Sequence, residues 1–220
     1  MALKKTIAVI GATGNMGVAL SKSLAKGNYR LLLMANDAGR LDLLYGEIKT
    51  GNPAADVEVI QCALNASWEA DIIILAVPYE AEKEIAGKIR EVTTGKIIIS
   101  LSNPVNSSFS ELVTTSGSSA AEELQQLLPH SLVIKAFNTT FAKDFYSPVI
   151  DGKQVDSFIA GDDAEALESV AEIVKMIGFN PVVAGGLKVS RTLEAMQLLL
   201  MQLTLKYNYN WQAGWKILHQ

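Results

Sequence analysis

Apolar positions along this chain come in short unbroken runs, separated by stretches in which they recur at helical spacing. The runs "TIAVI" (6–10), "RLLLMA" (30–35), "VEVIQ" (57–61), "DIIILAV" (71–77), "KIIIS" (96–100) and "LVIKA" (132–136) predict strands. Most are continuously apolar, which is the pattern of parallel strands covered on both faces, where neither side meets water. Between them the spacing predicts helices over 15–26, 38–49 and 79–92, with Gly27 and Gly51 at the ends of the first two. A helix over 119–128 opens with a capping box, Ser119 and Glu122, and stops before Pro129. The strand "SFIAG" (157–161) follows, then a helix opened by Asp162 and Asp163 and closed at Gly178, then a short "PVVAG" (181–185).

Strand, helix and strand repeated in this way predict an α/β Rossmann fold, a doubly wound and mostly parallel sheet over 1–185. After Gly185-Gly186 the pattern changes. From Lys188 it reads as helical to the end, with Leu193, Met196, Leu199, Leu200 and Leu203 on one face and Trp211 and Trp215 four apart. Residues 186–220 are therefore expected to form a small C-terminal helical appendage, packed on the sheet or on a second subunit.

Composition narrows the partners. With 220 residues, 49% of them hydrophobic and 19% charged, the chain has ample material for a core. Its net charge of -4 argues against nucleic acid, since no basic excess exists to displace counterions from phosphates. No Lys/Arg run reaches the density of a membrane-binding patch. The apolar stretch in "MALKKTIAVIGATG" is short for a secretory signal, and "MQLLLMQLTL" (196–205) carries two glutamines, so a cytoplasmic protein is expected. A single cysteine, Cys62, leaves no internal disulfide or cysteine-rich metal site and reads as a small buried apolar side chain.

Chemistry enters with "IAVIGATGNMGVAL" (7–20), where glycines recur at every third position between a predicted strand and a predicted helix. That context, more than the glycines alone, marks a dinucleotide site. Gly11 permits the tight turn, Gly14 lets the backbone approach a pyrophosphate, and Gly17 lets the helix close on the strand. Amides from Thr13 through Asn15 to Met16 then point from a helix N-terminus, where the dipole favours phosphate. At the end of the second strand, "MANDAGR" offers Asn36, Asp37 and Arg40. An acid there suits the ribose hydroxyls of NAD, and an Arg suits the extra phosphate of NADP, so the residues leave both open.

Ligands in such a sheet bind beyond the C-terminal strand ends. Ala76, Val77 and Pro78 follow the fourth strand and would lie along the cofactor's ribose; Ser102, Asn103 and Pro104 follow the fifth. Asn138 and Thr139 follow the sixth, at the place a nicotinamide and its reaction partner would reach. The same residue types also make turns. His130 precedes the sixth strand at the opposite end of the sheet, His219 is next to last, Asp71 starts a strand, and Lys135 reads as a partly buried salt-bridge residue. No metal-ligand cluster, Ser–His–Asp set or GxxxxGK[ST] loop is present. A dinucleotide site without an acid–base pair suits hydride transfer between two flat rings, which needs orientation and no protein proton donor. No catalytic side chain is expected.

Longer stretches carry a resemblance. "ADIIILAVPYEA", "SLSNP", "SGSSAAEELQQLLP", "VIKAFNTTFA", "FIAGDDAEALESVAEIVKMIGFNPVVAGGL" and "GWKIL" follow the glycine loop in this order. Together they resemble the NADP oxidoreductase, coenzyme F420-dependent family of dinucleotide-binding reductases, and are similar to the cytosolic reductase domains of the STEAP metalloreductases. The resemblance implies NADP(H) at the glycine loop, hydride exchange with a flavin or deazaflavin (F420) ring near the AFNT stretch and the C-terminal helices, and a homodimer. Where that family commonly places Ser-Arg after the second strand, this chain has Ala35-Asn36 followed by Asp37, with Arg40 the nearby cation. Where members often carry a His and a Pro, it has Asn138 and Phe141. Two other readings compete: a redox sensor or accessory protein that binds NAD(P) without turnover, and a pyrroline-carboxylate reductase relative, suggested by "GNMGVAL". The latter's helical dimerisation domain is longer than 186–220 supplies.

Overall fold

A computed structural model describes residues 4–219. Strands β1 (Thr6–Ile10), β2 (Arg30–Met34), β3 (Asp56–Val59), β4 (Ile72–Leu75), β5 (Ile97–Ser100) and β6 (Leu132–Lys135) alternate with helices α1 (Asn15–Leu24), α2 (Ala38–Gly51), α3 (Ala63–Glu69), α4 (Tyr79–Ile89) and α5 (Ala120–Leu127). A hairpin of β7 (Val149–Ile150) and β8 (Lys153–Gln154) precedes β9 (Asp156–Ala160), α6 (Ala164–Ile177), β10 (Asn180–Gly185) and α7 (Ser190–Tyr207). The main sheet runs β10-β9-β6-β5-β4-β1-β2-β3. Strands β1 to β6 are parallel, whereas β9 joins β6 antiparallel at Lys135 and Ala160, with β10 parallel to β9.

Alternation along each strand divides the core between two faces. Ile7, Val9, Ile72 and Ile74 pack with α1, α2 and α6, while Ala8, Ile10, Ile73 and Leu75 pack with α3, α4 and α5. All are at most 1% exposed. Burying each Ile or Leu contributes roughly 1.5–3 kcal/mol, so both faces explain the unbroken apolar runs. The winding reverses between β1 and β4, and a crevice opens there at the carboxyl ends.

Three elements differ from the sequence reading. Helix α3 was not predicted; its seven residues give too short a period to read, and Trp68 on it is exposed. The β7–β8 hairpin is two residues per strand and carries no pattern. The C-terminal segment is helical only to Tyr207, where Asn208 takes a left-handed conformation, φ 55°. Residues 208–219 then form a strap that pairs at Trp215 with Asp156 at the start of β9, so Trp211 and Trp215 do not share a helical face. Asp156 anchors the strap: its amide donates to the Trp215 carbonyl at 2.9 Å, and its carboxylate accepts from Lys216 Nζ at 2.7 Å and the Ile217 amide at 2.6 Å. These long-range bonds outweigh the weak helical spacing of "NYNWQAGW". No helix among the described residues is long and apolar enough to cross a membrane.

Candidate active site

The three glycines of the first loop serve different ends. Gly11 has φ +87°, and a Cβ there would run into the Ala76 carbonyl oxygen and lie 2.7 Å from Val77 Cγ1. At Gly17 a Cβ would meet the Gly11 carbonyl oxygen and stand 2.8 Å from Ala12 Cα. Both glycines are needed by the chain's own packing. Gly14 is not: a Cβ there would lie 3.4 Å from the Gly11 oxygen and 3.7 Å from the Ala76 oxygen, at ordinary contact. No contact within the chain therefore requires glycine at position 14.

The loop is pinned by Gly11 and Ala12 amides donating to the Met34 carbonyl at 2.8 and 3.0 Å. Helix α1 begins its backbone ladder with Val18 on Gly14, and its N-cap Gly14 supplies no side-chain cap. The amides of Asn15, Met16 and Gly17 precede that bond and lack a helical acceptor. No acid sits in the first turn. The positive end of the dipole thus faces the crevice with no internal anion to neutralise it.

Two cavities flank this loop and meet at Thr13, which lines both. The first, about 760 Å³, runs past Gly11, Gly14, Asn36 and Asp37 to Ala76, Val77 and Pro78. The second, about 550 Å³, is walled by Asn15, Met16, Arg40, Asn103 and Asn138, and by Leu101, Phe137, Phe141, Met201 and Trp211. Cys62 is a correction: it is exposed, at the N-cap of α3 in the wall of the first cavity, because α3 turns it outward from the sheet. Ser102, Pro104 and Thr139 line neither cavity. Ser102 and Thr139 are buried, and the Thr139 hydroxyl has no hydrogen-bond partner among the described residues.

At the ribose end, Asp37 spends one carboxylate oxygen capping α2, accepting from the Arg40 amide at 3.0 Å. The Arg40 guanidinium reaches back and donates to the Thr13 carbonyl at 2.6 Å. Lys88, the cation that lines the first cavity, is engaged with Glu84 at 2.5 Å. Arg40 consequently holds its charge beside Thr13, at the junction of the two cavities.

The wall of the second cavity is built from successive strand ends. Phe137, left-handed at φ 61°, turns the chain sharply after β6 and presents Asn138. Such a conformation costs of order 1–3 kcal/mol and persists only where the surroundings enforce it. Asn138 Nδ2 donates to Asn103 Oδ1 at 3.0 Å, and Asn103 Nδ2 donates to the Asn138 carbonyl at 2.9 Å, which locks two strand ends together. Asn138 Oδ1 and Gln197 Oε1 are buried, lie on residues of the cavity wall and have no hydrogen-bond partner among the described residues. Unsatisfied buried acceptors are rare and costly, so both fit a ligand that brings a donor, such as a carboxamide.

No Asp, Glu or His lines the second cavity. Burial does push two carboxyls up to about 7, Glu82 and Asp144, but neither lines either of these cavities. No group of three metal-ligating side chains occurs among the described residues. Sequence reasoning missed Gln197, Met201, Lys143 and Trp211 in the second wall. The buried face of α7 also carries Ser190, Glu194 and Thr204, so no local pattern singles out Gln197.

Residues 6–104 match the family described as NADP oxidoreductase, coenzyme F420-dependent. An F420-dependent NADP reductase of Methanothermobacter marburgensis is 30% identical over 212 residues, covering 91% of this chain and 92% of the relative. This chain belongs to that family. It is accordingly an oxidoreductase. The metalloreductase STEAP2 of Homo sapiens is 26% identical over 203 residues, 92% of this chain but 38% of that protein. Among solved structures, a candidate F420-dependent NADP reductase from Arthrobacter sp. FB24 superposes with a TM-score of 0.83 over 97% of this chain and 99% of that one, at 21% identity. That likeness covers the Rossmann sheet together with the C-terminal helix.

Proposed function

We propose that this NADP oxidoreductase family member exchanges hydride between NADP(H), bound along the glycine loop, and a flavin or deazaflavin (F420) ring seated in the second cavity. The observation that carries this reading is the meeting of the two cavities at Thr13, one lined by the glycine loop and the other lined by aromatic side chains and by no Asp, Glu or His. The chain's residues fit a dinucleotide: Gly14 clears space that the chain itself does not need, and the α1 amides stand ready for a pyrophosphate. When bound, the cofactor supplies a hydride from its dihydronicotinamide, with the accompanying proton drawn from solvent. Asn103 and Asn138 orient the carboxamide side, and Phe141 and Trp211 exclude water from the facing ring. Positioning of this kind replaces a catalytic acid.

Arg40 supports a preference for NADP, since its remaining donors can pair with a 2′-phosphate in place of the Ser-Arg usual in the family. The names of the relatives, F420-dependent NADP reductases, support the same cofactor pair. A homodimer through α7 belongs to this reading, supported by Leu199, Leu205 and Tyr207, which stand exposed on that helix; sedimentation equilibrium measures it.

Calorimetric titration with NADP and NAD, followed by NADPH and NADH oxidation with FMN, FAD and F420, tests the proposal. Expected are tighter NADP binding, turnover with at least one ring acceptor, and a preference lost in Arg40→Ala by about tenfold to a hundredfold, as for one charge-assisted pair. Binding without turnover would refute the enzymatic reading in favour of a redox sensor.

A further inference from the structure

Lys135, the last residue of β6, and Glu194, in α7, are both completely buried and meet at 2.6 Å. Such a pair adds little stability, because removing two charges from water offsets their attraction and apolar residues of similar size often serve as well. Its other bonds show what it holds. Lys135 Nζ also donates to the Ser102 carbonyl at 2.6 Å, at the start of the Ser102–Pro104 turn. The second oxygen of Glu194 accepts from the Ala120 amide, at the start of α5, at 3.2 Å. One turn beyond Glu194 lies Gln197 in the cavity wall, and next to Ser102 lies Asn103, bonded to Asn138. A single buried contact thus ties the β5 turn, β6 and α7 together behind the second cavity.

We infer that Lys135 and Glu194 are positioning residues that hold the Ser102–Pro104 turn and the Gln197 face of α7 so that the dihydronicotinamide is immobilised against the acceptor ring. The inference rests on the hydride-transfer reading above. Neither residue lines the cavity; they act through the Ser102 carbonyl and through α7. The other charged group facing Lys135 is Glu82 of α4, whose carboxyl accepts from Ser100 Oγ at 3.2 Å. Burial raises Glu82 to about 7 against the pull of Lys135, while Glu194 is the carboxyl in direct contact with Lys135, at 2.6 Å. Dinucleotide affinity comes mainly from the glycine loop, beside β1, which this contact does not touch. Its loss should therefore disturb ring placement and spare affinity.

The double variant Lys135→Met/Glu194→Gln is close in volume, uncharged, and expected to fold. Three quantities separate the possibilities: the NADP dissociation constant, the fluorescence enhancement of bound NADPH, which reports dihydronicotinamide immobilisation without turnover, and kcat with the best ring acceptor. Expected are a dissociation constant within about threefold of the wild type, loss of most of the enhancement, and a kcat lower by about a hundredfold, as for an ångström-scale misplacement. A folded double variant with wild-type enhancement and kcat would overturn the inference, and so would affinity and kcat falling in parallel. If the double variant does not fold, Glu194→Gln alone carries the comparison, with the same split expected between fluorescence and affinity. A wild type that binds NADPH with enhanced fluorescence but reduces no ring acceptor refutes the hydride reading, while the fluorescence comparison still decides the role of the pair.

Discussion

Replacing Gly14 with alanine separates ligand recognition from folding at a loop where the two are usually confounded. The added Cβ meets the Gly11 and Ala76 oxygens at 3.4 and 3.7 Å, and Gly14 sits at φ -72°, so the chain accommodates it without strain. At an N-cap, alanine is less favourable than glycine by up to about 1 kcal/mol, while the reduced freedom of the unfolded chain returns about 0.4–1 kcal/mol. Stability should therefore change by less than about 1 kcal/mol, or a few degrees in Tm. Binding should suffer far more, because the methyl group projects where a pyrophosphate approaches the α1 amides. Loss of one or two charge-assisted hydrogen bonds at roughly 1.5 kcal/mol each weakens NADP about tenfold to a hundredfold. Gly11→Ala is the control: left-handed strain plus collision with the Ala76 carbonyl costs about 2–5 kcal/mol and lowers Tm directly. Thermal melts and calorimetric titration of both variants make the comparison. Wild-type affinity in Gly14→Ala would refute the placement of the pyrophosphate, and a large loss of Tm there would refute the steric reasoning.

Glu82 and Asp144 have folded pKa values near 7, above their ordinary 4.5 and 3.8, so the folded chain binds more protons than the unfolded one between those limits. Their contribution is present in full below about pH 4 and is lost as pH rises through about 7. Glu82→Gln should remove a share of that slope, of order 3 kcal/mol between pH 4.5 and 8; urea midpoints that move with pH alike in wild type and variant would contradict it. Asn138→Ala should lower kcat with the ring acceptor about tenfold while NADPH affinity stays within about threefold and ADP-ribose affinity is unchanged, as steady-state kinetics and calorimetry would show, since Asn138 lines the second cavity and not the first. Trp211, edge-on to Phe141 at 5.4 Å and Phe109 at 5.8 Å, closes the second cavity. Trp211→Ala should raise KM for the ring acceptor severalfold without changing NADP affinity, as stopped-flow and calorimetry would show; an unchanged KM places the acceptor elsewhere.

The expected sheet, its winding and most helix ends agree with the structure because each follows from local chemistry. Unbroken apolar runs demand cover on both faces, Ser119 and Asp163 cap the helices they precede, and Gly178 takes the left-handed C-cap position at φ 112°. The glycine loop, Asn36 and Ala76 to Pro78 were likewise legible, since β1, β2 and β4 are neighbours whose ends must converge. The second cavity was legible only in part. Asn103 and Asn138 follow strand ends, but Gln197 and Met201 reach the same wall from a helix more than fifty residues later in the chain. Nothing local distinguishes Gln197 from a solvated helix residue.

Sequence by itself determined which segments form the sheet and where the glycine loop lies between its first strand and first helix. Tertiary structure decided what periodicity cannot encode. It turned Cys62 outward, ended the last helix at Tyr207, and folded the following strap onto Asp156. It also showed that Gly11 and Gly17 are required by contacts within the chain and Gly14 is not. The reason is range: a period or a cap is set by neighbours a few residues away, whereas the contact between Lys135 and Glu194 exists only once β6 and α7 have been brought together.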